Sequence, residues 1–222
     1  VLTLAILTVN KMANYFSKFP KLYHSFDGFN TSQYITNLLT RFTFEQSFKT
    51  NTAAFYEYDI REGDTPEIIA SKIYNSPERH WIVLLMNDMV DPFFDWPLPY
   101  ETLTRFVDAK YLDNAVSNTA GQGLIWSKSN IYGYYRVEKQ KLPNGSVYVQ
   151  KYQVDANTYA NTTISLNNSI TLADNVVVVF DTTKETQTYY DYELAVNEGK
   201  RRIKLLKPEL VESLEEELGK LL

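Results

Sequence analysis

The residues able to do chemistry are few in this chain and poorly grouped. It contains no Cys and only two His, His24 and His80. Without Cys there is no thiolate nucleophile, no thiolate metal ligand and no disulfide framework. Two His fall short of the ligands usual around zinc. A hydrolytic triad needs a His beside a Ser and an acid. His24 sits in an aromatic stretch and His80 beside Trp81. With no nucleophile motif nearby, both read as partly buried structural histidines rather than general bases. Neither a nucleophile elbow, an HExxH helix nor a P-loop is present. Gly121-Gln122-Gly123 lacks the third glycine and the preceding strand of a dinucleotide site and reads as a loop. Asp88, Asp91 and Asp95 lie next to Trp96. Such a group suits sugar stacking and a carboxylate pair, but the plainer reading is a turn whose Asp side chains cap local backbone. Residues 200–207 (KRRIKLLK) form the one basic patch. Phosphate binding is one reading; a solvated strand edge, or a partner for the acid-rich helix that follows, is the plainer one. No catalytic, cofactor-binding or metal-ligating residue is assigned, and no enzyme activity is expected.

Composition agrees. The 222 residues carry 22 Lys+Arg against 27 Asp+Glu, a net charge of −5, which argues against a protein whose main task is gripping nucleic acid. With 44% hydrophobic and 22% charged residues the chain is globular. The longest apolar run, residues 1–9 (VLTLAILTV), is too short to cross a bilayer as a helix. It also lacks the basic leader of a signal peptide, so neither a membrane span nor export is expected. It reads as an alternating strand or, because Met12-Ala13-Asn14 looks like an ordinary start, as an upstream extension over residues 1–11. The odd feature is an aromatic load of 14%, led by 17 Tyr.

The elements that would position these residues are unevenly legible. Residues 15–58 are crowded with Tyr and Phe and look mostly extended, with a helix expected over residues 31–42 from Tyr34, Ile35, Leu38, Leu39 and Phe42. Tyr58-Asp59-Ile60 reads as a strand and Glu62-Gly63-Asp64 as a turn. Thr65 then caps a helix with Pro66 at its first position, and Ile69 and Ile73 form an apolar pair. Ser76 and Pro77 open a second helix whose buried face is Trp81, Leu84 and Leu85, and Asn87 is expected to end it in the left-handed region. Prolines 92, 97 and 99 exclude a regular helix until about Tyr100, where Leu103, Phe106, Val107 and Tyr111 would face inward. Beyond residue 113 the composition turns to Asn, Thr, Ser, Tyr and Val. Two strands flank Leu142-Pro143-Asn144-Gly145, Asn-Gly being a strong hairpin signal. Residues 162–171 alternate around Asn167-Asn168, and residues 176–180 read as a buried strand. Residues 201–206 suit a strand. Pro208 opens a last helix with Leu210, Val211, Leu214, Leu218 and Leu221 on one face.

On these residues the chain meets a known pattern. Residues 58–65 (YDIREGDT), followed by Ile68-Ile69-Ala70 and residues 84–87 (LLMN), resemble the LysM module, a βααβ unit whose Gly-Asp-Thr turn, here Gly63, Asp64 and Thr65, leads into the first helix. Pro66 stands where that module usually carries Leu. The wider run Ile73-Tyr74-Asn75-Ser76-Pro77, then residues 81–88 (WIVLLMND), then Asp91-Pro92-Phe93-Phe94 and Trp96, resembles the LysM-like baseplate wedge proteins of contractile-tailed bacteriophages. The resemblance implies an α+β protein of four parts. These are an aromatic partner-binding segment (1–57), a LysM-like core with a wedge-type extension (58–112), a β-hairpin-rich region (113–200) and a C-terminal strand and docking helix (201–222). It implies a structural virion subunit, made in the host cytoplasm. Such a subunit joins neighbouring wedges and touches the wedge core proteins and the sheath-initiator-like protein, with no nucleic acid, membrane or cofactor. Trp81, Asp91, Pro92, Phe93, Phe94, Trp96, Leu210, Leu214 and Leu218 are the expected interface residues. Aromatics make interface hot spots. Five aliphatics on the last helix, worth about 1.5–3 kcal/mol each if buried, would only offset the cost of association, so several contact sites are expected. Removing residues 208–222 should then leave the 58–112 core folded. The rival reading is a LysM-type module binding peptidoglycan or N-acetylglucosamine polymers.

Overall fold

The computed structural model describes residues 19–25, 28, 32–37, 43–172 and 177–221. The expected strand over residues 1–9, the start at Met12, and Tyr15, Phe16, Phe26, Phe29, Leu38, Leu39, Phe42 and Val176 lie outside them. Strands β1 (Lys21–Ser25) and β2 (Ser32–Thr36) come first, then helix α1 (Gln46–Thr50), β3 (Phe55–Asp59), α2 (Pro66–Tyr74), α3 (His80–Met86), the single turn α4 (Pro92–Asp95) and α5 (Tyr100–Tyr111). There follow α6 (Gln122–Ser129), β4 (Ile131–Lys141), β5 (Val147–Val154), α7 (Ala156–Asn161), β6 (Ser165–Thr171), β7 (Val177–Thr188), α8 (Tyr189–Gly199), β8 (Arg202–Leu206) and α9 (Val211–Leu221). Among the described residues no helix is long and apolar enough to cross a membrane. The chain forms two compact units: residues 1–97 with 200–222, and Leu98–Gly199 between them. The division falls at 97/98, inside the expected 58–112 part, and at 199/200, one residue before the expected 200/201 boundary.

In the first unit β3 pairs antiparallel with β8, Phe55 opposite Leu206 and Asp59 opposite Arg202, so the strand that closes the sheet comes from the far end of the chain. Helices α2 and α3 pack on this pair. Thr65 caps α2 as expected, its hydroxyl accepting from the Ile68 N–H. Asn75 ends α2 with positive φ, a conformation Asn tolerates. The buried face of α3 is Trp81, Ile82, Val83 and Met86, not Leu84 and Leu85, which are half-buried. The reason is that α3 is covered from several sides, so a single helical stripe does not describe it. Asn87 does not take the left-handed conformation; its φ is −107° and the positive φ falls on Asp88. The Asn87 side chain has other work. It donates to the Lys204 carbonyl at 2.8 Å and accepts from the Lys204 N–H at 2.8 Å, completing β8 on the side away from β3.

The final helix corrects the docking expectation. Val211 and Leu218 are buried in the unit's own core, with Leu210 and Leu214 packed against it. Arg79 clamps Glu215 of α9 with two hydrogen bonds of 2.9 and 3.1 Å. An amphipathic period shows that a face will be covered but not by what; here the cover is β8, α3 and their neighbours. The helix expected over residues 31–42 is likewise replaced, where described, by β2, whose five residues pair with β1.

The second unit joins a helical layer to a four-stranded antiparallel sheet in the order β5-β4-β7-β6. The turn between β4 and β5 is the expected one, with Gly145 at φ 85° and its N–H donating to the Leu142 carbonyl. Helices α5, α6 and α8 enclose Leu103, Val107 and Tyr111; Phe106, expected inside, is exposed. Much of the Tyr excess sits here: Tyr111 stacks on Trp126 at 5.7 Å, both meet Tyr189, and Tyr132 stacks on Tyr192 at 4.0 Å. The Tyr111 hydroxyl donates to buried Glu193 at 2.7 Å. Burial and this carboxylate push the phenol up. Gly121-Gln122-Gly123 is not a loop but the start of α6. A Cβ on Gly123 would stand 2.0 Å from the Asp108 carbonyl oxygen, so only Gly lets α6 approach α5 this closely.

Candidate functional site

The turn Gly63, Asp64 and Thr65 is built inward. Gly63 takes φ 82°, which favours glycine. Asp64 is buried, and its carboxylate accepts from the Tyr58 hydroxyl at 2.8 Å, the Arg61 N–H at 3.1 Å and the Lys72 ammonium at 2.7 Å. Burial alone would raise its pKa, but these donors outweigh it and hold the carboxyl below its ordinary value. The Asp64 carbonyl in turn accepts from the Trp96 indole N–H at 3.0 Å. The turn therefore ties β3, α2 and the residues after α4 together.

The second feature is α4 and its flanks. Asp91 accepts from the Phe93 N–H at 3.0 Å, and Asp95 accepts from the N–H groups of Val90 and Asp91, each at 3.0 Å. Asp88 pairs with Lys49. The three aspartates thus cap backbone and fasten a neighbour, as the plainer reading of the sequence had it. Lys200 donates to the Phe94 carbonyl, and Trp96, only 9% exposed, anchors the far end of the turn. On this braced turn Phe93 is 86% and Phe94 69% exposed, next to Val90. Pro92 at the first helical position and Asp91 at the cap lie on the same exposed rim.

The other expected interface residues divide. Trp81, at 6% exposure, and Leu218 belong to the core beside Trp96. Leu210 and Leu214 are half-buried and line a cleft of about 500 Å³ with Phe44, Phe48 and Leu85. The structure adds one exposed aromatic pair that periodicity did not separate from its neighbours: Tyr23 and Tyr34, directly opposite across β1–β2 with ring centroids 5.0 Å apart. Three cations of the basic run over residues 200–207 find partners among residues 49–62. Arg202 pairs with Glu57 and Arg201 with Glu62, while Lys204 lies over the Phe55 ring and donates to the Lys49 carbonyl.

The sequence model of the base plate wedge protein 53 family matches residues 30–221, most of the chain and parts of both units. The chain belongs to this family. It is a structural bacteriophage tail protein of the baseplate wedge. A relative agrees: the baseplate wedge protein gp53 of Enterobacteria phage T4 is 29% identical over 69 residues, covering 31% of this chain and 33% of that protein. The matched stretch therefore spans about a third of that relative.

Proposed function

We propose that the chain joins neighbouring wedges to one another and to the wedge core proteins as the baseplate assembles, without catalysing a reaction. The observation that carries this is the Phe93–Phe94 edge. Two aromatic rings held out into solvent by a turn pinned through Asp91, Asp95, Lys200 and Trp96 are costly to leave wet and pre-organised for docking. Asp91 and Pro92 form the rim, and Tyr23 and Tyr34 on β1–β2 are a second contact. The N-terminal segment through residue 57 serves partners. The sheath-initiator-like protein is one proposed partner, and the tail baseplate the proposed site of action. Synthesis and assembly take place in the host cytoplasm.

The LysM-like core belongs to this reading in altered form. The strand–helix–helix–strand order is supplied by β3, α2, α3 and β8, with Leu98–Gly199 interposed before the last strand. In this unit Gly63, Asp64 and Thr65 act as a lock: the Asp64 carboxylate is spent on Tyr58, Arg61 and Lys72, which leaves the turn a structural rather than a glycan-binding role.

The test is a chain carrying Phe93→Ser and Phe94→Ser, supplied to a phage lacking its own copy. These rings are solvent-exposed, so melting should stay within about 0.5 kcal/mol of the parent, while incorporation into tails should fall at least tenfold. Normal incorporation would remove this edge from the interface.

A further inference from the structure

Within the first unit the cleft of about 500 Å³ opens between α9 and the segment from Thr43 to Phe48, with Leu85 of α3 among its walls. Phe44, Phe48, Leu85, Leu210 and Leu214 line it, and each is only half-buried. The rings of Phe44 and Phe48 stand 5.3 Å apart. Leu210, Leu214 and Leu218 recur every four residues, so one wall is an apolar ridge about 12 Å long. Half-wet aliphatic and aromatic surface on a concave wall favours an apolar occupant.

The lip of the cleft is acidic. Glu45 borders it from the α1 side and Glu217 from α9, and both are exposed. Among the described residues no cation lines it, and neither carboxylate has an ion-pair partner. Glu45 stands at the N-cap of α1, but its side chain does not cap the helix. Cations nearby are committed elsewhere, Lys49 to Thr43 and Asp88 and Arg79 to Glu215. Helix α9 itself carries Glu212, Glu215, Glu216 and Glu217 against the single Lys220. The walls also restrict the occupant's conformation. None of the lining residues belongs to a strand. An extended peptide laid there would bury its own N–H and C=O groups without a ladder to receive them. A helix satisfies its own backbone and presents side chains alone.

We infer that this cleft receives an amphipathic helix of another protein, its apolar stripe flanked on both sides by Lys or Arg. The stripe fills the space along Leu210 and Leu214, and the flanking cations reach Glu45 on one side and Glu217 on the other. Burial of the stripe supplies affinity, while the charges supply selection and speed of encounter. A second copy of this chain is the wrong partner. Its own clearest stripe, on α9, is edged by Glu and would set carboxylates against Glu45 and Glu217.

The test is calorimetric titration of the full chain with two helix-forming peptides of about 18 residues. Both carry the same Leu stripe at helical spacing, flanked in one by Lys and in the other by Glu. The Lys peptide should bind at least tenfold more tightly. Glu45→Lys combined with Glu217→Lys should reverse that order. Ser213→Trp, at an exposed position lining the cleft, should fill it and weaken binding of the Lys peptide at least tenfold. All three replaced residues are exposed, so the melting temperature should not change. No binding of the Lys peptide up to about 1 mM, equal binding of the two peptides, an order that survives the charge reversal, or binding that survives Ser213→Trp would overturn the inference. So would a chain that dimerises by itself and loses the dimer with Ser213→Trp, since a second copy would then occupy the cleft. The inference rests on the cleft and not on the Phe93–Phe94 edge, so its failure leaves the wedge-joining proposal intact.

Discussion

At the scale of single residues, Asp64 is a buried carboxylate with three donors in the first unit. Its carboxylate lies below its ordinary value despite burial, because Lys72, Tyr58 and the Arg61 N–H favour the charged form. A lowered folded value means that this contribution is complete above the unfolded value and disappears as pH falls through the folded one. Asp64→Asn should therefore cost about 1–3 kcal/mol at neutral pH. It should also flatten the loss of stability between about pH 5 and pH 2, read as melting temperature against pH. Gly123→Ala tests the second unit: with 2.0 Å to the Asp108 carbonyl, α5 and α6 must separate. A loss of about 1–3 kcal/mol is expected in denaturant titration. The cap at Thr65 and the turn at Gly63 were readable in the sequence because their chemistry is local. The Gly123 contact was not, since a Gly-x-Gly pattern does not reveal which backbone will approach it. Nor was the role of Asn87, whose amide completes a strand more than a hundred positions away.

At the scale of elements, helix α2 with its Thr65 cap, helix α5 after Pro99 and the β4–β5 hairpin were legible, because the cap, the prolines and the turn residues that set them are local. Pairing partners were not. Tyr34 and Ile35 fit a helical stripe, yet the segment follows β1 and takes its hydrogen bonds there. Helix α9 carries the clearest stripe of all, and the stripe alone does not distinguish an inner cover from an outer dock. Its burial changes an expectation: removing residues 208–222 should unfold the β3–α2–α3–β8 core rather than spare it. A gentler probe is Leu218→Ala, which leaves a cavity and should cost about 2–5 kcal/mol by chemical denaturation. Unchanged stability would mean that α9 is not part of this core.

At the scale of the whole molecule, one domain-sized unit stands between two halves of another. An interposed unit is tolerable because loop-closure entropy grows only logarithmically with length, provided the unit folds by itself. The ends of Leu98–Gly199 are held together from within, since the Asn197 amide both accepts from the Leu98 N–H at 2.7 Å and donates to its carbonyl at 3.0 Å. The excised segment Leu98–Gly199 should therefore unfold cooperatively, as monitored by near-UV circular dichroism. Among the described residues aromatics gather, for example, in the Tyr111–Trp126–Tyr189 cluster inside the second unit, in the Tyr23–Tyr34 pair and at the Phe93–Phe94 edge, and the last two groups are exposed. The central claim is that the chain is a structural joint of the baseplate wedge. Its most direct test is quantitative mass spectrometry of baseplates purified from the phage that encodes it. The expected result is the chain in fixed ratio to the other wedge proteins, with tails failing to form in its absence. Complete, infective tails that lack the chain would contradict the account.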